Sequence, residues 1–337
     1  MTSVGINGYG RMGRLAMRIL EDHDNLEVVA VNEPGASADT MALLTAVDSV
    51  HGAWGVACQG EEGVLWIDGR EVVYTSFDEP AKIPWSELGV DLVLDCSGEF
   101  RDVESLMPHL NQGARRVVVS APVKGGAANI VMGVNDDDPA LDGAEIVSAA
   151  SCTTNCLAPI VSVLHEELGI ERGAVTTLHA PTNTQRVHDG PHRDQRRARA
   201  TLNSMIPTTT NSAYAVTMIL PELEGRLTSV AVRVPVMNAS LVDANFQVAR
   251  DTTVDEVNAI LKAACDRPRL RGILGYEARP LVSADYATEP RSAVVDAGMT
   301  RVVDGRMLKV MAWYDNEWGY ANRLVELADL VAQKASE

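Results

Sequence analysis

Lysine is scarce in this 337-residue chain, with 5 against 24 arginines, and Lys plus Arg together number 29 against 46 Asp and Glu. The net charge of −17 and pI near 4.8 exclude the broad basic surface that non-specific binding to nucleic acid or to an anionic membrane requires. No apolar run reaches the ~20 residues that cross a bilayer. Nor does a charged-then-apolar leader precede Val4, which predicts a protein that is not secreted and works in the cytoplasm. Cysteine is sparse and odd in number, at five, so reduced thiols are expected rather than a disulfide framework. No Cys-x2-Cys pair and no His cluster is present, so no metal site is expected. Once macromolecular polyanions are excluded, a small-molecule partner remains.

The length is about twice that of a usual domain, and 46% hydrophobic with 22% charged residues suits a large core. In the first half, short apolar runs (Val4–Asn7, Val28–Asn32, Leu92–Cys96, Arg116–Ser120, Asn129–Met132, Ile146–Ala149) alternate with helical patterns at Arg11–Glu21, Asp39–Thr45 and Val103–Leu110. That alternation predicts a parallel sheet covered on both faces over residues 1–150, a Rossmann-type doubly wound α/β domain. A β insertion is expected between Trp54 and Thr75, with Asp68-Gly69 as a hairpin turn. From Ser151 the pattern changes. A helix over Ser151–Leu168, ended by Gly169, is followed by strands at Val175–His179, Ser229–Val236, Ser240–Ala249, Ala293–Ala297 and Met307–Tyr314. These and the helical patterns Ser212–Leu220, Val254–Ala264 and Glu317–Ala335 predict a second, α+β domain on a mostly antiparallel sheet over residues 151–316. Pro181–Thr210 reads as one long polar loop, of a length that is usually functional.

Gly8-x-Gly10-x-x-Gly13 stands where the first strand meets the first helix. Gly8 permits the tight turn, Gly10 lets backbone approach a pyrophosphate, and Gly13 allows close helix–strand packing. The helix N-terminus adds free N–H groups and a positive dipole. The second strand ends at Glu33, twenty residues past Gly13, where an acid can take a ribose 2′-hydroxyl and would repel a 2′-phosphate. NAD is therefore the expected cofactor.

Cys152 opens the amphipathic helix, where the dipole is expected to favour thiolate. Cys156, one turn later, is expected to be structural. His179 closes a strand and is the candidate general base for Cys152. Five arginines (Arg186, Arg193, Arg196, Arg197, Arg199) face only Asp189 and Asp194 within fourteen residues, a local reversal of sign that suits an anion site.

Four strings carry a resemblance: Gly5-Ile6-Asn7-Gly8-Tyr9-Gly10-Arg11-Met12-Gly13-Arg14; Asp48-Ser49-Val50-His51-Gly52; Ser148-Ala149-Ala150-Ser151-Cys152-Thr153-Thr154-Asn155-Cys156-Leu157-Ala158-Pro159; and Trp313-Tyr314-Asp315-Asn316-Glu317-Trp318-Gly319-Tyr320. Through them the chain resembles the phosphorylating glyceraldehyde-3-phosphate dehydrogenase family from end to end. The resemblance implies oxidation of glyceraldehyde 3-phosphate through a Cys152 thioester, with His179 taking the proton and an inorganic oxyanion releasing an acyl phosphate. It implies cofactor contacts at Asn7, Gly8, Gly10, Arg11, Met12, Gly13, Asn32, Glu33, Ser97, Ser120, Asn316 and Tyr320. The implied pocket for the substrate phosphate is Thr182, Thr184, Arg199 and Arg233; that for the attacking anion is Ser151, Thr153, Thr210 and Arg233, beside Asn211. Residues 181–207 would form an S-loop within a homotetramer, with Arg186, Arg193, Arg196 and Arg197 in interface salt bridges. The helix at about 317–337 would pack back onto the first domain.

Glu33 replaces the usual Asp, Pro191 matches NAD-specific members, and Asn211 stands where Gly is usual, with an expected change to the anion pocket. Ala121-Pro122-Val123-Lys124-Gly125-Gly126, Val31-Asn32-Glu33 and Thr201-Leu202-Asn203-Ser204-Met205-Ile206-Pro207 are similar to a branch associated with arsenate resistance and organoarsenical efflux, in which arsenate replaces phosphate. The alternatives are an erythrose-4-phosphate dehydrogenase, which also tends to carry Glu at position 33, and a non-enzymatic NAD-binding interaction protein. Against the first, Pro207-Thr208-Thr209-Thr210 and Thr182-Asn183-Thr184 are more similar to glyceraldehyde-3-phosphate users; against the second, a pure binding module has no reason to need the Cys152, His179 and Arg233 set.

Overall fold

The computed structural model describes residues 1–335; the last two residues of the expected 317–337 helix lie outside them. The chain divides into two units, one comprising Met1–Val131, Asn135–Ser151 and the stretch from Ala321, the other Met132–Val134 and Cys152–Tyr320.

In the first unit the order is β1 (Thr2–Asn7), α1 (Arg11–Leu20), β2 (Leu26–Asn32), α2 (Ala38–Ala46), β3 (Cys58–Glu61), β4 (Val64–Ile67) and β5 (Arg70–Thr75). Then follow β6 (Leu92–Asp95), α3 (Val103–Asn111), β7 (Arg116–Val119), β8 (Ala128–Asn129) and β9 (Ile146–Ser148). The strands make a nine-stranded sheet, β3-β4-β5-β2-β1-β6-β7-β9-β8. Only β3–β4 and β4–β5 pair antiparallel. β6 is buried at every position, as a strand covered on both faces requires. The β insertion continues this sheet through β5, which runs parallel to β2. Asp68 (φ 50°) and Gly69 (φ 79°) turn the β4–β5 hairpin, the left-handed pair that a two-residue loop demands. The expected strand at Asn129–Met132 shrinks to two residues.

β1 lies between β2 and β6, so the chain leaves it in opposite directions and a crevice opens at the carboxyl ends of β1 and β6. A buried polar chain fixes the floor of that crevice. Trp85 Nε1 donates to His109 Nδ1 at 2.9 Å, and His109 Nε2 meets Asp95 Oδ2 at 3.2 Å. Asn7 Nδ2 donates to the same oxygen at 2.8 Å. Because indole donates to Nδ1, the imidazole hydrogen sits on Nε2 and points at the carboxylate.

The second unit contains α4 (Cys152–Leu168), β10 (Ile170–His179), β11 (Ile206–Thr209), α5 (Ser212–Ile219), β12 (Leu227–Arg233), β13 (Ser240–Val248) and α6 (Val254–Ala264). β14 (Leu274–Glu277), β15 (Ala293–Asp296), β16 (Arg301–Val303) and β17 (Met307–Tyr314) complete it; α7 (Trp318–Lys334) follows, and from Ala321 it belongs to the first unit. The sheet of the second unit runs β11-β12-β10-β13-β17-β15-β14, with β16 on β17. Pairing is antiparallel except for β10–β12 and β14–β15. A long excursion separates β10 from β12, so hairpin geometry does not constrain them. β11 lies within the segment expected to be loop; Pro207 conceals it in sequence, yet an edge strand tolerates proline. Gly169, at φ +70°, ends α4 as expected.

Candidate active site

In the first unit, the crevice is built around glycine. A Cβ on Gly8, which has φ +85°, would stand 2.4 Å from Ser97 backbone, and one on Gly13 would stand 2.3 Å from the Gly8 carbonyl oxygen. Gly10 differs: its Cβ would enter open space, with nothing within 4 Å. This opening at the N-cap of α1, lined by backbone and a helix N-terminus, fits a pyrophosphate. Glu33 reaches across the turn, where its carboxylate accepts from Tyr9 N–H and Gly35 N–H, each at 2.8 Å. Thus the longer acid clamps the glycine turn, leaving its other lone pairs for a ribose.

Several expected contacts are scaffolding through their side chains. Asn32 is 1% exposed; its Nδ2 donates to Asn7 Oδ1 and the Phe77 carbonyl, while its Oδ1 accepts from Thr75 and Phe77 N–H. Arg11 forks onto Asp48 at 2.7 and 3.2 Å. Ser97 Oγ donates to Asp95 at 2.7 Å. Met12 and Ser120 are half-buried, and Tyr320 is buried in the first turn of α7.

In the second unit, Cys152 is the first residue of α4 and His179 the last of β10. Cys152 Sγ lies 3.4 Å from His179 Nε2. The Ala180 carbonyl faces His179 Nδ1 at 2.6 Å and also accepts from Arg233 Nη1 at 3.1 Å. Arg233 Nη1 itself approaches Nδ1 to 2.5 Å. With the hydrogen on Nδ1, that carbonyl accepts both donors and Nε2 keeps a free lone pair facing the sulfur. The imidazole is further fixed edge-on to Tyr314, at a centroid distance of 5.9 Å.

Electrostatics correct the expectation of a ready thiolate. Burial pushes the Cys152 thiol up, and the Arg233 charge and hydrogen bonds from Thr153 only partly reverse this. Burial and Arg233 together push His179 down to about 3, against the Ala180 carbonyl. The resting pair is thiol and neutral imidazole, with a base already in place. Cys156, fully buried beside it, has its thiol pushed well up by burial, as a structural residue should.

Thr153 is buried, with its hydroxyl 2.9 Å from that of Tyr314 and a further hydrogen bond to the Cys152 thiol. Two other expectations change. Arg199 turns outward, 68% exposed, onto Asp189 at 3.0 Å. Arg197, expected at an interface, is the arginine at the threonine cluster. Its Nη1 donates to Thr184 Oγ1 at 3.0 Å, and Thr184 meets Thr182 at 3.1 Å. The positions are two apart in a turn-rich segment, so their side chains diverge. Arg197 lies close enough to Arg233 for its charge to push that guanidinium down, after the larger effect of burial. Two converging cations beside the hydroxyls of Thr182 and Thr184 suit an anion pocket. Thr210 engages Ser212 at the start of α5, and Asn211 is exposed there with φ −104°, so the side chain in place of glycine brings no backbone strain. Ser151 is half-buried at the end of the first unit. Among the described residues no cluster suits a metal ion, and no helix is long and apolar enough to cross a membrane.

The open space at Gly10 yields a clean separation of fold from binding. Gly10→Ala is expected to leave thermal stability within about 0.5 kcal/mol, as a sterically free substitution does. The same change should weaken NAD binding at least tenfold by fluorescence titration. Unchanged affinity would show that no pyrophosphate lies there.

Comparison with known proteins agrees with both halves. The family description "Glyceraldehyde 3-phosphate dehydrogenase, NAD binding domain" matches residues 2–103, and the corresponding C-terminal domain matches residues 151–316. The chain is similar to glyceraldehyde-3-phosphate dehydrogenase 3 of Nostoc sp., with 54% identity over 329 residues and 98% of each chain covered. It is 47% identical over 331 residues to the glyceraldehyde-3-phosphate dehydrogenase of Geobacillus stearothermophilus, again covering 98% of each. With that of Kitasatospora aureofaciens it shares 47% over 335 residues, covering 99% of this chain and all of the other. The chain belongs to the glyceraldehyde-3-phosphate dehydrogenase family and is an NAD-dependent oxidoreductase.

Proposed function

We propose that the protein oxidises D-glyceraldehyde 3-phosphate to an acyl phosphate through a thioester on Cys152. The observation that carries this reading is the 3.4 Å contact between Cys152 Sγ and Nε2 of His179, whose imidazole burial keeps neutral. His179 takes the thiol proton as sulfur bonds to the aldehyde carbon and passes it to the carbonyl oxygen, which becomes the adduct's hydroxyl; neutral again, it then serves that hydroxyl as base. NAD, when bound, supplies the hydride acceptor. Thr182, Thr184, Arg197 and Arg233 hold the substrate phosphate. The thioester keeps energy that a free acid would release, and an oxyanion attacking its carbonyl expels the Cys152 sulfur. Inorganic phosphate is the expected oxyanion; arsenate is nearly isosteric and suits the same donors.

The assay follows cofactor reduction with the purified protein, glyceraldehyde 3-phosphate, NAD and either anion. Turnover requiring phosphate or arsenate and lost in Cys152→Ala supports the reading. A preference for erythrose 4-phosphate with release of free acid contradicts it, and a much higher kcat/KM with arsenate than with phosphate assigns the arsenate role. The pH profile is predicted too. His179, held near 3, stays a base throughout the working range, and the raised Cys152 thiol keeps its proton for His179 to take. Accordingly kcat/KM should stay level between about pH 6 and 8, below the ordinary thiol value of ~8.5. A steep fall through the ordinary imidazole range as pH drops to about 6 would contradict it.

Arg197→Leu should raise KM for the aldehyde about 10- to 100-fold, the usual range for a lost charge-assisted hydrogen bond. Arg199→Leu should change it less than about twofold, as a surface ion pair implies. The reverse pattern would restore Arg199 to the pocket.

Self-association as a homotetramer is part of the reading. Its support is the exposure of Leu202 (64%), Met205 (74%), Tyr214 (64%), Val230 (53%) and Met237 (72%), all in the second unit. Sedimentation should give about four times the 36.2 kDa of the chain, and a monomer at micromolar concentration would refute it.

A further inference from the structure

Ser240 is the first residue of β13, a strand lying between β10 and β17. It pairs in register with Tyr314, two residues before Asn316, and the neighbouring Leu241 pairs with Leu178, beside His179. The topology therefore seats its side chain where the ends of both flanking strands turn away. Ser240 is 1% exposed and makes two side-chain hydrogen bonds. Its Oγ accepts from Ala180 N–H at 3.1 Å and donates to Asn316 Oδ1 at 2.7 Å.

The direction of the second bond follows from counting donors. With the Asn316 amide as placed, the hydroxyl hydrogen has an acceptor and the Ala180 N–H has one too. Turning the amide over would put an NH2 against Ser240 Oγ and leave the hydroxyl hydrogen buried without a partner, which is costly. The Asn316 backbone is already held by its neighbour. Asp315 Oδ1 accepts from the N–H groups of Glu317 and Trp318, each at 2.8 Å, and Asp315 Oδ2 from Asn238 and Thr288, each at 2.7 Å. Rotation of the amide is the freedom left, and Ser240 removes it.

We infer that Ser240 is a positioning residue that locks the Asn316 amide with its NH2 presented as a donor, selecting an acceptor on the nicotinamide side, the carboxamide carbonyl oxygen. The inference rests on the family resemblance, through which Asn316 matches the residue that holds the nicotinamide carboxamide. The same hydroxyl ties that amide to the N–H of Ala180, the residue whose carbonyl faces His179 and Arg233. One serine thus keeps the cofactor anchor and the general base in register.

The test measures dissociation constants by quenching of intrinsic fluorescence, for NAD and for ADP-ribose, which lacks the nicotinamide. Ser240→Ala should weaken NAD about tenfold and ADP-ribose less than twofold. Ser240→Thr, which keeps the hydroxyl, should restore most of the loss. The 3-acetylpyridine analogue of NAD keeps the ring carbonyl without the amino group and should lose as much as NAD does. In an Asn316→Ala background, Ser240→Ala should cause no further loss. If Asn316→Ala leaves the NAD to ADP-ribose ratio unchanged, the assignment of Asn316 is wrong. If Asn316→Ala shifts that ratio and Ser240→Ala does not, the role given to Ser240 is wrong. Equal weakening of both ligands by Ser240→Ala would overturn it as well, since it would mark a general structural effect.

Discussion

The contact between Cys152 sulfur and His179 Nε2 governs the rest of the second unit. It exists because a helix begins where a strand ends, with α4 offering the sulfur and β10 the imidazole. Burial gives that contact its character. A desolvated thiol resists ionisation and a desolvated imidazole resists protonation, so neither charge is present at rest. What the surroundings supply is direction. The Ala180 carbonyl fixes the imidazole tautomer, Arg233 provides a cation that favours developing negative charge on sulfur, and Tyr314 holds the ring edge-on. Charge appears only when substrate chemistry calls for it.

Anion recognition on a chain of net −17 needs the same economy of placement. Many arginines stand against carboxylates: Arg11 against Asp48, Arg199 against Asp189, Arg267 against Glu166 and Glu167, Arg291 against Glu289 and, at 3.6 Å, Arg197 against Asp194. Arg233 is different, since its nearest partners are an imidazole and a carbonyl, and Arg197 stands near enough to raise the cost of its charge. Arginine suits such positions better than lysine, because its fork meets phosphate oxygens in pairs and stays charged when desolvated. In the first unit the glycine turn and the start of α1 offer N–H groups, and Glu33 braces the turn.

Periodicity made most of the fold legible. Met307–Tyr314 and Val254–Ala264 have the bounds their patterns predict, and α4 stops at Gly169 because a left-handed residue was needed there. β11 was not legible, because proline reads as a break unless the strand is known to lie at an edge. In the site, Cys152 and His179 stand on a helix start and a strand end, which sequence pattern can place. The choice between Arg197 and Arg199 depends on how an irregular segment turns, and no periodicity reports that. Ser240 gave no signal at all, since a serine opening a strand looks ordinary until both neighbouring strands are in place. The buried chain of Trp85, His109 and Asp95 was hidden for a like reason, as its members come from separate elements.

The central claim is that Cys152 carries the acyl group between oxidation and release. Rapid-quench mass spectrometry of the protein mixed with glyceraldehyde 3-phosphate and NAD, without phosphate or arsenate, tests it most directly. The account predicts one 3-phosphoglyceroyl group on the peptide bearing Cys152, discharged on adding phosphate. Reduced cofactor formed with no acyl group on that peptide would contradict it.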